Sequence, residues 1–281
     1  MKLVRFGESG AEKPGVIDAE GRIRDLSQHV GDLAGKEIDP DALSRLAGIE
    51  IDSLPLVEGT PRLGPCVAGT GKFICIGLNY ADHAAESGMD VPPEPVIFMK
   101  ASSAICGPND PIVIPRGSKK TDWEVELAVI IGRHAKYVSE EDAMDYVAGY
   151  AVTNDVSERE FQTERAGQWT KGKSCDNFGQ IGPWLVTKDE ITDPQNLKMW
   201  LTVNGETMQD GSSATMVYGV RHLVSYLSQF MSLHPGDVIS TGTPPGVGLG
   251  MKPPRYLKAG DVVELGIDGL GSQRQDVVAD A

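Results

Sequence analysis

The chain has 281 residues and a net charge of −14, with 26 Lys and Arg against 40 Asp and Glu. Sequence-independent binding to a phosphate backbone needs clustered cations that release counterions, so this balance excludes nucleic acid as an expected partner. No run approaches the roughly 20 apolar residues that cross a bilayer, and the opening MKLVRFGESGAEKPG has no secretory apolar core, so no membrane association and a cytoplasmic location are expected.

In chain order, residues 1–66 read as a small N-terminal domain. MKLVRFG and PGVIDAEGRIRDLS alternate apolar and polar residues around a turn-forming Asp-Ala-Glu-Gly, the pattern of a hairpin. A proline-bearing stretch from Leu54 to Pro65 leads into KFICIGLNY, which reads as the first buried strand of a second domain over 67–281. Further strands are expected at VIFMK (96–100), PIVIP, EVELAVIIG, YVAGYAVTND, KMWLTVNGE, DVISTG and DVVELGID. Two segments carry helical signals: SEEDAMDYV, where Ser139 and Asp142 resemble a capping box, and VYGVRHLVSYLSQFM, with apolar residues at 3.6 spacing. Strands do not alternate with helices, which disfavours a doubly wound sheet and gives an α+β class, mostly β. Cys66, Cys75, Cys106 and Cys175 form no C-x-x-C pair and read as structural residues of a reducing compartment.

Chemistry-bearing residues fall in four segments. In Thr121 to Ile131, strand periodicity places Glu124 and Glu126 on one face and Val125, Leu127 and Val129 on the other. Two adjacent carboxylates repel and resist desolvation unless a cation compensates them; as an isolated motif, a solvated strand face explains them better. Asp155, ending the next apolar strand, is a third carboxylate able to reach the same ion. Three carboxylates suit Mg²⁺, with Mn²⁺ or Ca²⁺ as alternatives, and the absence of Cys or a His cluster argues against zinc. In NYADHAAE, His83 and Glu86 at i and i+3 form a potential general base and its orienter, against the bland alternative of a surface helical pair. The following GMDVPPEP reads as a loop able to close over a site. GQWTKGKSCDNFG offers Lys171 or Lys173 to an anion, and spacing does not choose between them. STGTPPGVGLG is a glycine-rich turn whose amides, with the Thr243 hydroxyl, suit an anion; Pro244 and Pro245 exclude a nucleotide loop.

Together and in this order, the segments resemble the fumarylacetoacetate hydrolase family over about Lys72 to Asp268. The resemblance implies a mixed β-roll or sandwich catalytic domain, usually homodimeric, acting on a small 2-oxo acid. It implies that Glu124, Glu126 and Asp155 bind Mg²⁺. His83 and Glu86 match a water-activating dyad on a lid helix, and Lys173 matches the family lysine better than Lys171. Thr241 to Gly248 match the T-G-T-P-x-G-V-G turn. Thr243, Tyr80 and Asp176 are the expected substrate contacts. VSEREFQTERAGQWTKGKSCDNFGQIGPW further resembles bacterial hydrolases of 2,4-diketo-3-deoxy-L-fuconate or -rhamnonate, which release pyruvate. The leading expectation is an acylpyruvase-like enzyme splitting a carbon–carbon bond. An isomerase, an oxaloacetate-type decarboxylase or a ureidoglycolate lyase is the alternative within the family, because one fold hosts several reactions. A non-enzymatic metal- or sugar-acid-binding module is the alternative of another class.

Overall fold

The computed structural model describes residues 1–86, 88 and 90–280. Its first half contributes β1 (Lys2–Phe6), β2 (Lys13–Ile17), β3 (Ile23–Asp25), β4 (Phe73–Gly77), β5 (Val96–Lys100), β6 (Ile105–Cys106), β7 (Ile112–Ile114), β8 (Thr121–Asp122) and β9 (Val125–Ile131). Then follow β10 (Val147–Asp155), β11 (Ser157–Glu158), β12 (Gly179–Thr187), β13 (Lys198–Val203), β14 (Glu206–Ser212), β15 (Val238–Ser240), β16 (Val262–Ile267) and β17 (Gly271–Ala279). The α-helices are α1 (Pro40–Ala47), α2 (Ala81–Glu86), α3 (Thr170–Lys173) and α4 (Val220–Phe230).

The main sheet runs β3-β2-β1-β12-β10-β9-β15-β4-β5, with β6 beside β12, and a five-stranded sheet runs β14-β13-β16-β17-β7. Every residue of β9 and β10 is buried, which explains their near-continuous apolar runs. Leu127, Val129 and Val152 face Leu201, Leu265 and α4 in one core. Ala128, Ile130 and Ala151 face the opposite way, into a second core with Leu3, Val16 and Leu33 of the N-terminal segment. That segment therefore adds β1–β3 to the edge of the main sheet and also covers one of its faces. This is the mixed, mostly β architecture that the sequence predicts.

Three local features differ from expectation. SEEDAMDYV forms the capping contacts, with the Asp142 amide donating to Ser139 Oγ at 3.1 Å, but only a 3-10 turn over Ala143–Tyr146 follows. Val147 already enters β10, and so short a segment cannot offset helix nucleation once the strand claims its end. KMWLTVNGE is not one strand: Asn204 and Gly205, both at positive φ, turn β13 back into β14, the hairpin geometry favoured by Asn-Gly. An additional helix, α1, begins at the Asp39 cap, whose side chain accepts the Asp41 amide, with Pro40 in its first turn.

Candidate metal centre and active site

Register assembles the acidic cluster. Glu126 pairs with Thr153 across β9 and β10, and the Asp155 amide donates to the Glu124 carbonyl at 2.9 Å. Period-two alternation then puts Glu124, Glu126 and Asp155 on one face at the end of the sheet. Their carboxylates are buried, and one oxygen from each lies within 4.8 Å of the others.

Three cations enter this cluster. Lys173 Nζ lies 2.6 Å from Glu124 Oε2 and 2.8 Å from Asp155 Oδ2. Lys100 Nζ is 2.5 Å from Asp155 Oδ1 and donates to the carbonyls of Val156 and Lys173. The Arg159 guanidinium bridges Asp122 at 2.8 Å and Glu124 at 2.7 Å. Burial pushes the Glu124 carboxyl up, but Lys173 and Arg159 outweigh it and hold it far below the usual range. Burial likewise disfavours the charged Lys173, yet Asp155 and Glu124 keep it an ammonium.

Glu126 is the exception. It accepts the Ser240 hydroxyl at 2.5 Å and the Gly242 amide at 2.8 Å, but among the described residues it has no cationic partner. Burial, then Asp155 and Glu124, push its carboxyl well above the ordinary range. Four carboxylates, counting Asp122, thus face three cations, and the uncompensated one lies in the three-carboxylate group. This deficit and the all-oxygen donor set fit a hard divalent cation.

His83 is 7 % exposed and lines a cavity whose wall also includes Glu124, Glu126, Arg159 and Lys173, with Nδ1 3.4 Å from Glu86 Oε2. Glu86 is held in turn by the Gly246 amide at 3.1 Å. Burial raises the Glu86 carboxyl, but the bonds from His83 and Gly246 bring it below its usual value. Asn79 ties the start of this segment down, donating to the carbonyls of Thr241 and Tyr218. The expected closing loop, GMDVPPEP, includes Met89, which lies outside the described residues, as does Ser87 just before it.

The glycine-rich turn works differently from expectation. Its amides bind carboxylates of the chain itself: Gly242 to Glu126, Gly246 to Glu86, and Gly248 and Leu249 to Asp122. A Cβ on Gly250 would lie 2.3 Å from Glu86 Cγ, so only glycine admits that side chain. Thr243 lines the cavity, but its hydroxyl already donates to the Val125 carbonyl and accepts from Gln209.

The choice between the two lysines is resolved by burial: Lys173 is in the cluster, whereas Lys171 is exposed and bonds to the Arg165 carbonyl. Tyr80 and Asp176 do not reach the cavity. Tyr80 is fully buried in the apolar core with its hydroxyl on Met199 Sδ, and Asp176 is exposed on the loop after α3. Sequence reasoning missed Lys100, Asp122 and Arg159. Their signal was charge inside or beside apolar strands: Lys100 in VIFMK, Asp122 just before EVELAVIIG and Arg159 just after YVAGYAVTND.

Comparison with known proteins bears on this geometry. Residues 72–278 match the model of the fumarylacetoacetate hydrolase C-terminal domain. The chain belongs to the fumarylacetoacetate hydrolase family. Across the family, fumarylacetoacetate hydrolase from Exiguobacterium antarcticum is 38% identical with a TM-score of 0.86, covering 100% of both chains. Maleylpyruvate hydrolase from Sphingobium sp. SYK-6, solved with manganese(II) and pyruvate, is 29% identical with a TM-score of 0.83 over 100% of both chains. A Burkholderia ambifaria protein, 64% identical over 98% of each chain, is named provisionally as a hydrolase without a substrate. Family membership and the buried acidic cluster together support hydrolase or isomerase chemistry on 2-oxo acids.

Proposed function

We propose that the chain is a divalent-metal-dependent hydrolase that splits the carbon–carbon bond of a 2,4-diketo acid and releases pyruvate. The observation that carries this reading is the meeting, in one cavity, of an under-compensated carboxylate cluster and a histidine backed by a carboxylate. Glu124, Glu126 and Asp155 would hold Mg²⁺ or Mn²⁺; when bound, the ion supplies Lewis-acid polarisation of the 2-oxo acid head.

The chain's own groups supply the rest. His83, oriented by Glu86, takes a proton from water, whose oxygen adds to the distal carbonyl. The bond between that carbon and the adjacent methylene breaks. Its electron pair leaves as the pyruvate enolate, which is protonated at carbon, while the acyl fragment departs as a carboxylic acid. Lys173 sets a fixed positive charge beside the region where the enolate develops, and a preorganised charge acts most strongly where water is excluded. Thr243 has already spent its hydroxyl proton, so it shapes the wall and can only accept a bond from the substrate. The diketo-deoxy sugar acids of the narrower resemblance are members of this substrate class.

Pyruvate release from a panel of acylpyruvates with Mg²⁺, before and after chelation, tests the reading. Turnover that survives metal removal, or turnover of oxaloacetate alone that is indifferent to loss of His83, would replace it with a metal-free reaction or a decarboxylation.

A further inference from the structure

The cavity wall is of two kinds. One is charged: Glu124, Glu126, Arg159 and Lys173, with His83. The other is apolar: Ile76, Leu78, Phe98, Trp169 and Leu249. A continuous path joins them: Lys173 Nζ lies 5.1 Å from the centre of the Phe98 ring, and Phe98 meets the Trp169 ring edge-on at 5.3 Å and 65°. Trp169 is half-buried at the end of an otherwise exposed segment, 163–168. Its ring lies against Gly77, where an added Cβ would sit 2.4 Å from Trp169 Cζ3. Glycine at the end of β4 thus leaves room for the indole ring in the cavity wall.

Most of the polar side chains in this wall already have partners. Thr163 donates its hydroxyl to the Arg159 carbonyl at 2.8 Å, and Gln162 Oε1 accepts from Arg159 Nη1 at 3.0 Å, which leaves the Gln162 amide N–H groups as the donors of this wall. Thr243 is bonded to Val125 and Gln209. Both lining cations, Arg159 and Lys173, are paired with carboxylates. Among the described lining residues, a distal carboxylate meets no spare cation, and a polyhydroxylated chain surrenders water for few partners. A buried polar group without a partner carries its full desolvation penalty, whereas an apolar or aromatic group gains burial and an aromatic neighbour.

We propose that this enzyme selects 2,4-diketo acids whose acyl group is an uncharged hydrocarbon or aromatic group, with Trp169 as the specificity-determining residue. This rests on the hydrolase reading above, and it runs against the polyhydroxylated acyl group of the sugar-acid resemblance.

The test compares kcat/KM for acetylpyruvate, benzoylpyruvate, glyceroylpyruvate and succinylpyruvate with Mg²⁺. Benzoylpyruvate should exceed both glyceroylpyruvate and succinylpyruvate by roughly tenfold to a hundredfold, the usual discrimination of an apolar pocket. Trp169→Ala should cut the benzoyl-to-glyceroyl ratio by about fivefold or more, and Trp169→Phe should largely preserve it. If pyruvate is released but glyceroylpyruvate or succinylpyruvate equals or beats benzoylpyruvate, the specificity is overturned and the hydrolase reading stands. A ratio unmoved by Trp169→Ala overturns the role of that residue. If no compound yields pyruvate, the hydrolase reading fails, and calorimetric binding of the same four compounds to the Mg²⁺-loaded protein decides the specificity separately. Benzoylpyruvate binding at least tenfold tighter upholds it, and equal or reversed affinity overturns it.

Discussion

Glu126→Gln should stabilise the metal-free protein and lose most or all of that advantage when metal is added. Glu126 is 2 % exposed, shares its surroundings with Glu124 and Asp155, and accepts bonds only from Ser240 and Gly242 among the described residues. Glutamine keeps the shape and, through Oε1, both accepted bonds, while removing a carboxyl that burial, Asp155 and Glu124 make costly to ionise and that neutral pH makes costly to protonate. An uncompensated buried charge costs on the order of a few kcal/mol, so the metal-free variant should be more stable than wild type by roughly 1–3 kcal/mol. At about 2.1 cal/mol/K per residue, a chain of 281 residues has an unfolding entropy near 0.6 kcal/mol/K, so the gain in Tm is roughly 2–5 °C. Metal at a hundred times its Kd stabilises wild type by about 2.7 kcal/mol, or roughly 5 °C. If losing the ligand weakens affinity about a hundredfold, the variant at that concentration gains only about 0.4 kcal/mol, under roughly 1 °C. The two melting temperatures should approach or cross between chelator and Mg²⁺. Differential scanning calorimetry in both conditions reads this directly. Equal metal-induced shifts, or a variant that melts lower than wild type in chelator, would refute the charge-deficit argument.

His83→Ala should lose about 100- to 10,000-fold in hydrolysis while still binding metal and oxalate, as followed by turnover and calorimetry; retained hydrolysis would remove His83 from the chemistry. Lys100→Met should destabilise the fold by about 3–5 kcal/mol in urea unfolding, because it strips Asp155 of a buried partner and leaves the Val156 and Lys173 carbonyls without their donor; a loss below about 1 kcal/mol would contradict this. Asp18 gives a pH signature. Although burial raises its carboxyl, the Arg22 amide and the Arg24 and Arg22 guanidinium groups hold it at about 2, below the ordinary 3.8. A depressed folded-state value contributes stability above pH 3.8 that is lost as pH falls toward 2. Asp18→Asn should therefore flatten the acid limb of the wild-type stability curve, and identical limbs in thermal scans would count against the pairing.

The parts of the site legible in the sequence are those that follow from a local period. Alternation alone puts Glu124 and Glu126 on one face, an apolar strand ending in Asp155 carries the third carboxylate, and i,i+3 spacing joins His83 to Glu86. The Asn204-Gly205 turn and the Asp39-Pro40 start of α1 were equally local, and a closer reading of turn and cap signals would have found both. β17 was harder. Gln273 and Gln275 point inward because their amides satisfy the carbonyls of Val152, Gly182 and Pro108, around the irregular pairing of β10 with β12. Polar side chains in a core position erase the apolar alternation that marks a strand.

What tertiary structure alone decided is which charge meets which. Lys173 rather than Lys171, Arg159 between Asp122 and Glu124, and Lys100 beneath Asp155 all join residues 18 to 55 positions apart on different strands and turns. The amides of the glycine-rich turn go to Glu126, Glu86 and Asp122 because β15 brings that turn alongside the end of β9. Tyr80 is drawn into the core and Asp176 left in solvent by the same packing. A sequence states which residues carry charge and which face a local element presents. The balance of buried charges, on which the metal site and the apolar wall of the cavity both depend, exists only once strand register and packing have chosen the neighbours.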